Sequence, residues 1–410
     1  MTSRAIADAA ARHDALLRSL DVALVLSTSI DDSAGARLAV TLTRFADGRV
    51  VWSDVFGPSG TLSPDQWSSW VTSIGRGVAG ALGRPATDTV VARASTLKQD
   101  AFEAYLRAWA GWARFDADGL ETAVKEFTVA IERDPGFVTA HVGLADALNL
   151  RALFRHSPPR ETFDAAVAAA SQALRLAPDD PGALAALALA RLYSGRDLNG
   201  ARDLFDRALA REPGRALTHQ WAAGAFSAAG QHDRALAMAR RAQLLDPLSP
   251  SVNSDLCWYA YFARRFEDAA AHAEHAFESF GQTSALQCAQ LAYWQLGDVM
   301  RERDALVRHL AATNAADASD VIRAFAGGGV SALRAANVAR LEASNRTSDD
   351  YARIVANVAA GAVDRAAELL LASDGGDAPW RVFVHIDPSF DALRADSKAI
   401  APASKPPGAG

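Results

Sequence analysis

The chain has 410 residues, enough for two or three domains, and half of them are apolar, which excludes a disordered protein. Its formal net charge of −6 argues against direct binding to nucleic acid or to an anionic membrane, since either needs a basic patch. No run approaches about 18 apolar residues and charges interrupt the N-terminus, so neither a membrane span nor a secretory signal is predicted, and we expect a cytoplasmic protein.

Residues 1–83 predict a small α+β module. An amphipathic helix occupies the N-terminus, and three apolar runs typical of strands follow it. These runs are 21–27, 38–45 and 50–56. Asp47 and Gly48 between the last two predict a hairpin, and Ser63 with Pro64 predicts the start of a second helix.

The first predicted strand suggests that this module is incomplete. Residues 22–26 are apolar on both faces, which is typical of a strand covered on both sides of a sheet. Only two other strands are available to flank it, so we expect a strand to be missing. Residues 84–97 are predicted to be a linker.

A repeat follows over residues 98–313. Four prolines and Gly281 each end a helical segment, at intervals of 43, 35, 34 and 34 residues. Small or aromatic residues recur twelve, eight and five positions before each. These are Ala123, Phe127, Ala130; Ala166, Ala170, Ala173; Ala201, Phe205, Ala208; Ala235, Ala239, Ala242; and Ala269, Ala273, Ala276. The pattern resembles the tetratricopeptide repeat (TPR), and it predicts a mainly α protein, a TPR α-solenoid of helix-turn-helix units behind the α+β module.

Each repeat is predicted to contain a first and a second helix. Alanine in the slots of the second helix permits close approach of its partner, and the proline ends the helix. The first helices are predicted at 104–116, 138–150, 182–193, 216–228, 250–262 and 284–296. The longest interval places extra residues around 153–159, which we interpret as a lengthened turn, either a tolerated insertion or a functional loop.

The repeat pattern fades beyond residue 313. Residues 314–372 predict further helical hairpins, with a flexible turn at Gly327-Gly328-Gly329 that lacks the Lys-Ser/Thr of a phosphate loop. Residues 373–400 predict a C-terminal cap on the last helical pair, and residues 401–410 a disordered tail.

Four segments carry a more particular resemblance. They are Asp47-Gly48-Arg49-Val50-Val51-Trp52-Ser53, Gly119-Leu120-Glu121-Thr122-Ala123, Gly143-Leu144-Ala145-Asp146-Ala147 and the stretch 384–394. In this order they resemble the C-terminal half of bacterial signalling proteins, in which a TolB-amino-terminal-like module precedes TPRs behind a CadC-type winged-helix transcription regulator or a class III adenylate cyclase. The resemblance implies the sensing half of such a protein, with its effector domain on another chain or encoded further upstream.

The sequence predicts neither catalysis nor a cofactor. It lacks Gly-x-Ser-x-Gly, His-Glu-x-x-His and Cys-x-x-Cys motifs. Cys257 and Cys288 are interpreted as buried thiols, with a redox pair as the alternative. His272 and His275 lie three apart on a predicted helix, where a solvated face is favoured over a metal site because no third ligand is near. An enzyme with an unrecognised site in the N-terminal module is the weakest hypothesis.

The favoured hypothesis is a scaffold or regulatory adaptor that binds a peptide or helix of another protein in a concave groove lined by first helices. Counting positions along those helices predicts a partner-binding groove. Its residues are Trp112, Phe115, Asp146, Asn149, Tyr193, Gln220, Ser227, Ser254, Trp258, Tyr261 and Phe262. The alternative for each aromatic residue is that it fills the core between repeats. No first helix contains lysine, so an acidic C-terminal tail is not the expected ligand.

Overall fold

The computed structural model describes residues 24–31, 37–44, 46–47, 49–57, 63–81, 98–194, 197–313, 315–344, 349–373 and 378–395. The predicted helix at the N-terminus, the linker 84–97 and the tail 401–410 lie outside these described residues. The chain divides into two compact units. One contains residues 1–114 and 122–140, and the other residues 115–121 and 141–410.

The first unit contains a three-stranded antiparallel sheet. Its strands lie in chain order, β1 (Leu24–Asp31), β2 (Arg37–Arg44) and β3 (Val50–Phe56). Within the described residues β1 is an edge strand, and Leu26 is 48% exposed. That a strand is missing beside it stays a prediction. Strand β1 continues beyond the apolar run into Ser and Thr side chains, which tolerate water.

Helix α1 (Pro64–Ala81) packs on this sheet and begins where predicted. Ser63 and Gln66 cap it reciprocally, because the Gln66 amide donates to Ser63 Oγ at 3.2 Å and the Ser63 amide donates to Gln66 Oε1 at 2.9 Å. Trp70 contacts Phe56 of β3 with ring centroids 5.6 Å apart.

The first helical hairpin joins α2 (Gln99–Ala113) and α3 (Ala117–Arg133). The predicted helix at 104–116 is present, but α2 begins five residues earlier, at Gln99, and ends three residues earlier, at Ala113. The cause is an aromatic cluster in the first unit: Tyr105 lies 5.8 Å from Phe127 and 4.9 Å from Phe137, and it holds the early part of α2 against its neighbours.

The second unit continues the helical hairpins, and the prediction of paired helices is confirmed. The first helices are α4 (Val138–Leu153), α6 (Pro181–Ser194), α8 (Ala216–Ala228), α10 (Pro250–Phe262) and α12 (Ala285–Leu296). Their second helices are α5 (Pro159–Leu176), α7 (Leu198–Arg211), α9 (His232–Leu245), α11 (Phe266–Phe280) and α13 (Val299–Thr313). Stacked helical hairpins behind a small sheet module are the architecture of a TPR α-solenoid.

The repeat slots explain this packing. Every slot residue named above is at most 2% exposed, as expected for the contact between paired helices. Gly281, in the proline slot, ends α11 in the left-handed conformation with φ of 68°, which glycine adopts without strain. The two cysteines, on α10 and α12, are free thiols and fully buried, as predicted.

The extra residues of the second repeat lengthen both its helices and the turn between them, which has five residues, 154–158, whereas the turn between α8 and α9 has three, 229–231. Helices α4 and α5 have 16 and 18 residues, whereas α6 and α7 have 14 each. Pro159 at the first turn of α5 favours helix from that point, so only 154–158 remain as the turn.

Beyond the repeats lie α14 (Ala315–Ala343), α15 (Asp350–Ala359) and α16 (Val363–Ala372). Helix α14 is kinked at Gly328 and Gly329, the second of which has φ of 64°. The chain then forms two short 3₁₀ turns, Pro379–Phe383 and Pro388–Phe390, and a last helix, α17 (Asp391–Ala395). We call residues 378–395 the terminal segment.

Candidate protein-binding face

The first helices α6, α8 and α10 form a face whose two ends differ in what covers them. Toward the start of α8 and the middle of α10, polar side chains remain half-buried and reachable. Toward the ends of the same helices, the terminal segment lies over them. We call these the open stretch and the covered stretch of the first-helix face.

The open stretch centres on Asp255 of α10. Gln220 of α8 donates from Nε2 to Asp255 Oδ2 at 2.8 Å and to Ser251 Oγ at 3.3 Å. Tyr259 donates its hydroxyl to the Gln220 carbonyl at 3.3 Å, which connects the two helices a second time. These bonds fix the Asp255 side chain at the contact between successive repeats.

The charge of Asp255 is poorly compensated within the chain. Burial raises its carboxyl pKa to about 6, and the Gln220 hydrogen bond only partly opposes this effect. Burial, with the Asp255 charge as a second cause, also raises the pKa of Tyr193 and of Tyr259. Both phenols therefore lie within the electrostatic reach of this carboxylate.

A second carboxylate on the first helices, Asp146 of α4, has a cation of its own. It is fully buried and lies 3.0 Å from Arg215 Nη2, at the start of α8. Burial raises its pKa to about 6, and the Arg215 charge opposes the increase. Nearby, Asn149 donates from Nδ2 to the Ala186 carbonyl at 2.9 Å, which fastens α4 to α6.

The covered stretch is occupied by aromatic side chains of the terminal segment. Phe383 stacks on Phe262 with centroids 4.9 Å apart and an interplanar angle of 10°. Val382 is buried in the core cluster that contains Trp221 and Phe226. The terminal segment therefore packs along α8 and α10 as well as against the last helical pair.

Polar contacts lock the terminal segment in place. His385 donates from Nε2 to the Ala228 carbonyl at the end of α8, at 2.7 Å. Tyr261 and Ser389 share a hydrogen bond of 2.7 Å between buried side chains. Tyr351 of α15 donates to Asp387 at 2.7 Å, and burial raises the Asp387 pKa to about 6.

The predicted groove residues thus fall into several environments. Asp146, Asn149, Ser227 and Ser254 are buried between helices. Tyr261 and Phe262 are buried under the terminal segment, and Trp258 is half-buried beside Tyr351, with ring centroids 6.3 Å apart. Tyr193 and Gln220 lie in the open stretch.

The remaining two predicted residues lie on α2 and directly after it. Trp112 is on α2 in the first unit, 5.2 Å from Trp109. Phe115 lies after the end of α2, is 41% exposed and contacts Phe154 at 5.4 Å. The groove assignment stays a prediction.

Asp255 and Tyr259 were missed by the position count. That count selects the fifth residue of each helix, which is Gln220 in α8 and Ser254 in α10. The residue that meets Gln220 across the helix contact is the next one, Asp255. A useful signal is its spacing of three from Trp258, which places a carboxylate and an indole on one helix face.

A cavity of about 280 Å³ is lined by residues of α12, α13, α14 and α15. Gln290 and Trp294 line it from α12. Arg334, which also lines it, donates two hydrogen bonds to Glu302, at 2.7 and 3.0 Å. The charge of that arginine is therefore already compensated inside the chain.

Two further observations concern the described residues only. No group of three or more His, Cys, Asp or Glu side chains among them is placed to hold a metal ion. His272 and His275 are both half-buried on α11, and burial lowers the pKa of His272. None of the helices in the described part is long and apolar enough to cross a membrane.

No protein-family model matches the chain, and no curated protein matches it. Several solved structures are similar to it. TTC0263, a TPR protein of Thermus thermophilus, is 18% identical with a TM-score of 0.38, and the match covers 46% of this chain and 98% of that one. YrrB, described as a TPR protein with an unusual peptide-binding site, is 17% identical with a TM-score of 0.34, and the match covers 45% of this chain and 90% of that one.

Human IFIT1, solved as a dimer with m7Gppp-AAAA, is 17% identical with a TM-score of 0.44, and the match covers 75% of this chain and 78% of that one. We draw no conclusion about function from likenesses at this level.

Proposed function

We propose that this protein is a cytoplasmic interaction scaffold or regulatory adaptor that binds a peptide or helix of another protein on the open stretch of its first-helix face. The observation that carries the proposal is the difference between the two stretches. Phe262 and Tyr261 of the covered stretch already pack against the terminal segment, whereas Gln220 and Asp255 of the open stretch are half-buried and reachable. Trp258, one helical turn beyond Asp255, is also half-buried, and its ring contacts those of Phe262 and Tyr351. Aromatic and hydrogen-bonding side chains in a partly desolvated recess are typical of interaction hot spots.

Affinity purification from native lysate tests this function. The wild type is compared with a Gln220→Ala, Trp258→Ala double variant and with Leu244→Ala, a control on α9 whose side chain is 74% exposed. We expect quantitative mass spectrometry to show partners that the wild type and the control recover equally and the double variant loses. Equal recovery by all three proteins contradicts the assignment of the face.

The resemblance to signalling proteins supports a second candidate, the sensory half of a regulator whose effector domain is on another chain. The three-stranded sheet favours it: within the described residues β1 and β3 have unpaired outer edges, and Val50 and Val55 are 53% and 60% exposed. Crosslinking mass spectrometry on the native protein tests this candidate. Crosslinks from the sheet to a winged-helix or cyclase protein support it, and their absence from a sample that contains such a protein contradicts it.

A further inference from the structure

The open stretch contains a carboxylate for which the described residues supply no cation. Asp255 is half-buried, and no ion pair reaches it from the part of the chain that the structure describes. Asp146, also on a first helix, is by contrast paired with a cation, because Arg215 Nη2 lies 3.0 Å from its carboxylate. A desolvated carboxylate without a cation is destabilising, and such groups concentrate where a ligand later supplies the missing charge.

The neighbours of Asp255 position it for such a ligand. Gln220 donates a hydrogen bond to Asp255 Oδ2 only, and Asp255 Oδ1 accepts none from the described residues. Trp258 lies one helical turn further along α10, and Tyr193 of α6 is close enough for its pKa to respond to the Asp255 charge, after burial as the larger cause. One carboxylate oxygen without a donor from the described residues, in a partly desolvated site, suits a cationic side chain.

We propose that Asp255 binds an arginine or lysine side chain of the partner, with Gln220 as its positioning residue and Trp258 as an adjoining aromatic surface. The proposal rests on the proposed function and names the chemistry of the partner: a basic segment of another protein. Charge complementarity carries this choice. An acidic partner segment would place a second negative charge beside a carboxylate that is already undercompensated.

A peptide selection with the full-length protein tests the proposal and needs no purified partner. Randomised twelve-residue peptides are displayed on phage and selected on immobilised wild type and on Asp255→Asn in parallel. We expect wild type to enrich peptides with arginine or lysine at one fixed position. The variant is expected to lose that enrichment.

Binding of the best selected peptide is then measured by fluorescence anisotropy. We expect Asp255→Asn to weaken it about 10- to 100-fold, the usual range for a charge-assisted hydrogen bond in a partly buried site. Replacing the basic residue of the peptide by neutral citrulline or glutamine should weaken binding to wild type by a similar factor and have little further effect on the variant. Asp268→Asn, on the exposed surface of α11, is the matched control and should bind like wild type.

The melting temperature of Asp255→Asn distinguishes a role of Asp255 in recognition from a role in holding the fold together. Because no cation of the described residues pairs with Asp255, Asp255→Asn should melt at or above the wild-type temperature, whereas loss of a structural carboxylate would lower it. Selected peptides without a basic residue, or equal binding by wild type and Asp255→Asn, overturn the basic-segment proposal alone. A selection that yields no binding peptide from either protein overturns the proposed function together with it.

Discussion

The two stretches of the first-helix face are built from the same helices, yet they differ in how their polar groups are satisfied. In the covered stretch the carbonyl of Ala228 and the hydroxyl of Tyr261 find partners in the terminal segment. In the open stretch the carboxylate of Asp255 finds only the Gln220 amide among the described residues. The difference indicates that one part of the face belongs to the fold, whereas we propose the other for recognition.

The largest effect is expected in the covered stretch. Phe390 of the terminal segment is 0% exposed, so Phe390→Ala removes a buried ring and should lower the free energy of unfolding by about 3–5 kcal/mol. Urea unfolding followed by circular dichroism measures the loss. Leu244→Ala, at a side chain 74% exposed, is the control and should change stability by less than about 0.5 kcal/mol. Equal effects would show that the terminal segment is loosely docked.

A similar loss of stability is expected when Asp146 loses the arginine with which it forms an ion pair. Arg215→Ala leaves Asp146 buried and charged, which should cost about 3–5 kcal/mol at pH 7.5. The loss should shrink toward pH 5, because protonation of Asp146 removes the uncompensated charge. Urea unfolding at both pH values checks this, and a loss that is independent of pH contradicts the role assigned to the pair.

The contact between paired helices should respond less strongly. Ala208→Leu, in the slot nearest the proline of the third repeat, overpacks α7 against its partner and should cost about 1–3 kcal/mol. Ala242→Leu places the same overpacking in the next repeat and should behave alike, while Ala113→Leu at the exposed end of α2 should be nearly neutral. Neutral unfolding data for both slot variants would show that the repeat register is wrong.

The smallest effect on stability is expected at the open stretch, where the substitution should stabilise the protein instead of destabilising it. The Asp255 pKa is raised to about 6, so its contribution to stability is fully present below the ordinary value near 3.8 and is lost as the pH rises through about 6. Asp255→Asn should therefore raise the free energy of unfolding at pH 7.5 by about 1 kcal/mol or less, since the site is partly exposed to water.

The same variant should also flatten the fall in stability between pH 5 and pH 7.5. A residual fall should remain, because Asp146 and Asp387 also have raised pKa values. Urea titrations of wild type and variant at both pH values give the comparison. A destabilised variant at pH 7.5 would contradict the description of Asp255 as an unpaired charge.

The repeat architecture was predictable because it depends on local and periodic chemistry. Alanine at the slots, as at Ala208 and Ala242, is required by contacts inside one hairpin, and these contacts recur with the period of the chain. Gly281 could be placed at a helix end for the same reason. Such features do not depend on distant parts of the chain.

The candidate site was predictable only in part, because long-range contacts decide it. Tyr261 was predicted to line the groove, and its hydroxyl shares a hydrogen bond with Ser389, 128 residues further along the chain. The terminal segment has no repeat partner, so periodicity gives no indication of where it docks. Asp255 was missed because the crossing of α8 and α10 aligns Gln220 with a residue one position away from the counted slot.

Photo-crosslinking tests the central claim most directly. A photoreactive amino acid is placed at position 220 in the open stretch, at position 383 in the terminal segment, or at position 244 on the exposed surface of α9, and the native lysate is irradiated. We predict that position 220 crosslinks to a partner protein through a basic segment, and that position 383 crosslinks within the chain to α10. A partner captured at position 244 or 383 but not at position 220 would contradict the assignment of the binding face.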